Sequence, residues 1–596
     1  MNLSRNNKET GTALVVVISI MATLAVLVYT AAEYTATINR LVVRSNTLEN
    51  AITVGDASTE IMFSYWREVC RTNTNYPAPT SWFQNLPLPS QSQFPNVPNF
   101  SATAAAYSAA YTVSNCKIVA VDPELNPIDS NVTPPAGIGQ SATSATYNYV
   151  ASADVTLPLQ NGNIVSKVRR VFQKQQISPW NWAIFYVDPL EIQPGPTLNI
   201  TGWVHTNSDL FTGHNTLHFL DKVTYASDWT TGFKPGDPRA VGGSAPETPT
   251  TPGWLSNLPP ALDIAHQPFG LDSTRIFNTS DSNPNNDSYR ELIQPPVAGY
   301  TDPFAGQRYY DQAGVRILVD NSNNVTIKNA SDVTVTGSST GADLKLYQTF
   351  SSAITTNQTI QDYREQANIR LATLNVATVV SKINDGTLQN FNGIIYFTDT
   401  SAAANGVGAK RGLRVKNGTV LPAGGLTIVS NNPIYLQGDY NTGGSNPPSN
   451  SGNPSNPQVS GYTRQPAAII GDAVNLLSNA WNDANSNAGL GSRVASNTTF
   501  NAAILSGIVP SANNIYSGGA ENFPRFLEDW SSKTLTYYGS MVELYVSQQS
   551  IGTWGKSNVY SPPTRQWYFD TNFRVIPPPG SLMVYSYVKG KWSIVQ

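Results

Sequence analysis

Residues 198–225 read LNITGWVHTNSDLFTGHNTLHFLDKVTY: four apolar or β-branched runs of three residues, at 198–200, 203–205, 217–219 and 223–225, separated by Gly, Asn and Asp. Runs this short cannot sustain the 3.6-residue period of an amphipathic helix, and Gly or Asn corners supply the left-handed backbone that tight turns need. The same punctuation returns at 315–319, 325–327, 333–335, 394–397, 413–415, 426–429, 434–436 and 467–470. Corners about ten residues apart predict a mainly β body, a parallel β-solenoid in which Asn side chains stack between rungs. No strict repeat length stands out, which leaves a β-sandwich as the alternative.

Working outward, residues 230–314 are rich in Pro and Asn and predict an insertion that interrupts the rungs and projects as a loop region. Residues 359–383, with Tyr363, Ile369, Leu371, Leu374 and Val379 apolar, predict a helix flanking the sheet. The Asn/Ser/Gly/Pro run at 441–460 predicts a flexible loop. Towards the amino terminus, YNYVASADVTLPL and IVSKVRRVF alternate around Asn161-Gly162-Asn163 and predict two antiparallel strands. Pro77, Pro79, Pro87, Pro89, Pro95 and Pro98 mark a linker that cannot be helical.

Before Pro77 there is no proline, and Gly11 and Gly55 are the only glycines. Residues 12–32 carry no charge, and at about 1.5 Å per residue they span roughly 31 Å as a helix, the thickness of a bilayer core. Ile38, Leu41, Leu48, Ile52, Ile61, Met62, Tyr65, Trp66 and Val69 extend a helical apolar stripe beyond it. Arg5 and Lys8 precede the span, which predicts a cytoplasmic leader and an exported body. An uncleaved anchor and a signal peptide cut after Thr30-Ala31-Ala32 are the other readings of this segment. The chain divides into a leader at 1–11, a transmembrane long helix at 12–76, a linker with a small α+β head at 77–175, and a β-rich body with a carboxy-terminal cap at 176–596.

With 36 Lys+Arg against 39 Asp+Glu the net charge is −3, which excludes a polyanion binder driven by bulk charge, nucleic acid included. Cys70 and Cys116 are the two cysteines, and in an oxidising exported compartment they are candidates for a disulfide, two separately buried thiols being the other reading. His205, His214 and His218 lie within fourteen residues, but strand-and-turn text surrounds them, which favours rung-stacking or surface roles over metal binding. Carboxylates for glycan cleavage would come from Asp188 with Glu191, Glu528 with Asp529, or Asp472. Asp472 reads equally as a turn cap, and Glu528-Asp529 as part of a short helix before Trp530. The basic run at 408–414 reads as a solvated corner. Trp530, Trp567 and Trp592 read as core, and the stretch from Trp229 to Trp254 as exposed surface able to stack on sugars. No phosphate-cradling glycine loop or nucleophile elbow is present, and nothing in the sequence calls for a cofactor.

The run Arg5-Asn-Asn-Lys8-Glu-Thr-Gly11 followed by TALVVVISIMATLAVLVYTAAEYTATINRL resembles a prepilin leader joined to the PilX-type amino-terminal segment of type IV pilus assembly proteins. GGLTIVSNNPIYLQGDYN at 424–441, SGGAENFPRFLEDW at 517–530 and RQWYFDTNFRVIPPPG at 565–580 resemble a large pilus-associated β-rich domain. The resemblance implies cleavage after Gly11, methylation of Thr12, a place among minor pilins or pseudopilins of a type IV pilus or type II secretion-like filament, and no enzyme activity. It implies partners in other pilin-like subunits, the inner-membrane assembly machinery, the prepilin peptidase and surface glycans, and a final location at the pilus or cell surface. Position five of that mature chain is Val16 where bulk pilins carry Glu, which fits a minor subunit. A membrane-anchored polysaccharide-binding or polysaccharide-cleaving solenoid is the alternative.

Overall fold

The computed structural model describes residues 6–72, 111–122, 124–128, 138–141, 144–159, 162–237, 253–254, 261–262, 270–271, 277–403, 410–444, 463–511, 516–555 and 557–595. The chain is strand-rich, opens with one long helix, and divides into two compact units. The proline linker at 77–98 and most of the loop at 441–460 lie outside the described residues.

The first unit is built on the helix Asn6–Thr72. Its first half is exposed on every side, whereas Ala51, Val54, Ser58, Met62, Trp66 and Cys70, spaced by three and four residues, are buried. That stripe packs on strands from later in the chain. Trp66 lies 5.2 Å from the rings of both Tyr149 and Phe172, and Phe63 lies 5.1 Å from Phe172. Gly55 is required by close approach, since a Cβ there would stand 2.6 Å from Val168 Cγ1. Strand Thr112–Val121 pairs antiparallel with Ser144–Leu159, whose alternate residues Tyr149, Ala151, Ala153, Val155 and Leu157 are buried. Gly162–Ile177 is the next strand in the sheet, as the alternation predicts. On the helix's outer flank Arg170 reaches Asp56 and Glu60 at 3.2 and 2.7 Å.

In the second unit the three-residue runs are strands, and they stack in parallel. Ile184, Val204 and Val223 are in register in one stack, Leu190, Leu210 and Trp229 in a second, and Leu198 with Leu217 in a third. The steps between registered residues in these stacks are 20 or 19, so from Ile184 to Thr231 the strands recur every third one, whereas the steps between the later parallel strands are longer and unequal. Farther on, Ile394–Asp399, Leu426–Ser430, Ala467–Gly471, Thr498–Ile508 and Thr534–Val546 stack in parallel, each beside its predecessor. Lys410–Lys416, Ile434–Gln437, Val474–Leu477 and Pro524–Phe526 form a second such stack. Strand Thr534–Val546 then pairs with Ile184–Tyr186, joining the late stack to the early one in a single 13-stranded sheet.

Three expectations are corrected. Residues 359–375 are not helical: Ile354–Asp362 and Ala367–Asn375 form an antiparallel hairpin, and only Val376–Asn384 is a helix. β-branched Thr355, Thr359, Ile360, Ile369 and Thr373 fit the pleat, and the turn before Ala367 sets Gln366 at φ +53. The described end of the 230–314 segment does not project, because Leu292, Ile293, Phe304 and Tyr309 anchor it in a core cluster with Tyr396 and Val429. Arg308 there is fully buried and reaches the Asp302 carboxylate at 2.6 Å. Finally, Glu528 and Asp529 follow the strand Pro524–Phe526 instead of lying on a helix.

Candidate functional site

The exposed half of the helix is the most unusual surface among the described residues. From Leu14 to Leu48 large apolar side chains such as Val16, Leu24, Tyr29, Tyr34 and Leu41 are 54–70% exposed or close to it. One 18-residue window of the helix has a mean hydropathy of 2.6 and none of it is buried. Its few hydroxyls turn back on the helix: Ser19 and Thr23 donate to the carbonyls of Val15 and Ser19 at 2.8 Å, and Thr30 to that of Val26 at 2.9 Å. That is how polar side chains are tolerated in hydrocarbon. Gly11 and Thr12 both lie on this exposed stretch within the helix, and nothing stands within 4 Å of a Cβ built on Gly11.

Cys70 and Cys116 are not joined as a disulfide. Cys70 is buried near the end of the helix. Cys116 sits half-buried at the bulge between Ser114 and Lys117, where burial and then the nearby Asp154 push its thiol up to about 11. At that value it is a poor nucleophile at neutral pH.

The three histidines have separate surroundings. His205 is fully buried, with Nδ1 2.7 Å from Thr224 Oγ1 on the registered strand, Nε2 3.0 Å from Asn207 Oδ1, and its ring stacked 5.5 Å from Phe185. His214 occupies a turn at φ +79, and His218 lies on strand Leu217–Phe219 in register with Asn199. Among the described residues no three His, Cys, Asp or Glu side chains converge as metal ligands.

Of the carboxylates, Asp472 caps a turn, as one sequence reading expects. It is fully buried, accepts the backbone N–H groups of Gln548, Gln549 and Ser550, and pairs with Arg290 at 3.0 Å. Glu528 accepts both N–H and Oγ–H of Ser478 at 2.6 Å, and burial pushes its carboxyl up to about 7. Its proton is therefore held more tightly in the folded chain than in the unfolded one. The associated stabilisation is complete below pH 4.5 and is lost as pH rises through about 7. Replacing Glu528 by Gln is expected to flatten that part of the stability profile, by up to about 3 kcal/mol relative to the parent, in denaturant melts at pH 4.5, 6 and 8. An unchanged slope would assign the pH dependence elsewhere.

Asp188 and Glu191 belong to a larger group that sequence reasoning missed. Glu543 is registered with Tyr186 across the two joined stacks, and its Oε2 accepts the N–H groups of Val187 and Asp188 at 3.1 and 3.0 Å. Glu191 accepts from Ser511 Oγ at 3.0 Å and from the Lys234 N–H at 3.3 Å, while burial, then Asp237, push it up to about 7. No local signal could reveal this group, because Glu543 stands more than 350 residues from Asp188.

The basic run is not a solvated corner: Lys410 reaches Glu365 at 2.5 Å, Arg411 Nε reaches Ser401 Oγ at 2.7 Å, and buried Arg414 pairs with Asp483 at 2.6 Å. Trp530 and Trp567 are core, and Trp592 is half-buried. Trp229 is not a bare surface ring either. It packs against the core and donates to Thr212 Oγ1 at 2.9 Å, because its strand continues a registered stack. The side chain of Trp254 lies outside the described residues. Compared with protein-family models, curated proteins and solved structures, the chain matches none.

Proposed function

We propose that the chain is a minor pilin-like or pseudopilin-like subunit of a type IV pilus or type II secretion-like filament, acting in assembly, priming or surface adhesion. The observation that carries this reading is the helix, which is naked and apolar in its first half and packed on a sheet in its second. From Leu14 to Leu48 exposed apolar side chains recur over roughly 52 Å at 1.5 Å per residue; the uncharged part, residues 12–32, matches the about 30 Å of bilayer hydrocarbon, and beyond it apolar residues such as Leu41 and Leu48 alternate with Glu33, Arg40 and Arg44. A bilayer covers only part of that length, and helices of neighbouring subunits are the natural cover for the rest. In this reading the segment before Gly11 stays cytoplasmic, the peptidase cuts after Gly11, and the new amino terminus is Thr12. The body is a parallel β-solenoid of three-strand coils, an assignment supported by the parallel registers at steps of 19 and 20 residues. It is displayed outside the membrane for contact with partner subunits or surface glycans, and takes no catalytic part.

Mass spectrometry of the mature amino terminus, from membrane and sheared-surface fractions, tests the reading. A chain starting at methylated Thr12, and loss of that species in a Gly11→Val variant, is the expected result. A start at Glu33 would identify an ordinary signal peptide, and an intact Met1 a plain anchor; either overturns it.

A further inference from the structure

Past its uncharged span the helix Asn6–Thr72 stays naked for about five more turns, until its buried stripe begins at Ala51. In this stretch Tyr34, Ile38, Leu41, Ser45, Leu48 and Ile52 are spaced alternately by four and three residues, the spacing of a seam between two helices. Written as a heptad, Ile38, Ser45 and Ile52 stand at a, and Tyr34, Leu41 and Leu48 at d. Tyr34, Ile38, Leu41 and Leu48 are 40–70% exposed. Where the seam meets the buried stripe the two faces diverge: Ala51 and Val54 are buried on the sheet, whereas Ile52 between them keeps part of its surface. Docking of the second half of the helix therefore leaves the seam accessible.

The flanks of the seam carry two charges, Arg44 at g and Glu49 at the following e; the other flanking positions, Thr35, Thr37, Val42 and Ala51, are uncharged. Both charged side chains are exposed, and among the described residues neither is held in an ion pair. Within one helix five residues turn about 140° round the axis, so Arg44 and Glu49 cannot meet on their own helix. Between two parallel helices the same spacing is the one that brings g of one chain against e of the other. The segment is thus complementary in charge to a second copy of itself, Arg44 facing Glu49 twice over, with no like charges opposed.

We propose that residues 34–52 form a parallel two-stranded coiled coil with the same segment of a second copy of this chain. Ile at a with Leu at d, as in Ile38, Leu41, Leu48 and Ile52, is the combination that favours two strands in register. The proposal rests on the membrane-spanning reading of the helix above, because two copies inserted with the same end inside lie parallel, the arrangement that pairing of g with e requires. Nineteen residues make a contact of about 28 Å, a length at which isolated helices are marginal. Here the helix is already formed, continuous with the apolar span on one side and packed on its sheet on the other, so the nucleation cost is absent. A subunit of another kind would have to set an acid against Arg44 and a base against Glu49 at this same spacing.

The test is oxidative crosslinking of the full chain in membranes, with the parent, whose cysteines are buried or half-buried, as the blank. A Leu41→Cys variant, at d, is expected to give a disulfide-linked homodimer, and a Val43→Cys variant, exposed but at the outward f position, is not. Adding Arg44→Glu to Leu41→Cys sets acid against acid on both flanks and lowers the dimer about tenfold; the exchange Arg44→Glu with Glu49→Arg restores it. Equal yields at positions 41 and 43, a dimer indifferent to Arg44→Glu, an exchange that restores nothing, or adducts with other proteins in place of a homodimer overturns the proposal. Failed crosslinking in chains that start at methylated Thr12 sinks the dimer and leaves the filament reading standing. Crosslinking in chains that start at Glu33 sinks the filament reading alone.

Discussion

Replacing Asp472 by Ala destabilises the β-rich unit by about 3–5 kcal/mol, the range for removing one partner of a buried ion pair. Asp472 and Arg290 are 0% and 2% exposed in their side chains, so the guanidinium left behind has no water to turn to. The loss is larger than that of an ordinary ion pair because the same carboxylate accepts three backbone N–H groups, from Gln548 at 2.8 Å, Gln549 at 3.0 Å and Ser550 at 2.7 Å. Those donors belong to the segment that follows Thr534–Val546, while Arg290 also donates to the Asn431 carbonyl at 3.1 Å. One side chain therefore ties three distant segments together. Denaturant unfolding followed by tryptophan fluorescence reads the effect. In the double variant Asp472→Ala/Arg290→Met the loss is smaller than the sum of the two single losses, because the stranded charge is gone while the orphaned N–H groups remain. A single-variant loss below about 1 kcal/mol would mean that water reaches the pair.

Trp66→Ala carries the second large effect, about 3–5 kcal/mol for truncating a fully buried tryptophan. Its ring contacts Phe63, Tyr149 and Phe172 at centroid distances of 5.2–5.6 Å, so the variant loses apolar area and three aromatic contacts while opening a cavity under the helix. Leu24→Ala is the control: Leu24 is 55% exposed on the naked half and contributes nothing to that core. Thermal melts are expected to show the unfolding of the helix-and-sheet unit moved down by several degrees in the first variant and unmoved in the second. Equal melts for both would mean that the helix is not docked through this stripe.

The long helix was legible because its signals are local: no proline before Pro77, an uncharged stretch at 12–32, and an apolar stripe continuing to Val69. Short strands were legible for the same reason, since β-branched runs between Gly and Asn corners leave few alternatives. Where the local signal was double, the reading failed. Ile369, Leu371 and Leu374 fit a helical stripe, but Ile369 and Leu371 also alternate with Arg370 on a pleat, and pairing of Ile354–Asp362 with Ala367–Asn375 won. Burial of Arg308 and Arg414 was likewise hidden, because a guanidinium goes inside only when partners from elsewhere are waiting for it.

The sequence by itself determined a strand-rich chain behind one membrane-length apolar helix, since charge-free length, proline spacing and β-branched runs act within a few residues of where they stand. Tertiary structure alone decided which strands distant in sequence are neighbours. That Thr534–Val546 lies beside Ile184–Tyr186, bringing Glu543 against Asp188, depends on hydrogen bonds between backbones some 350 residues apart. Backbone pairing of that kind is nearly blind to side-chain identity, so neither partner's local sequence records it.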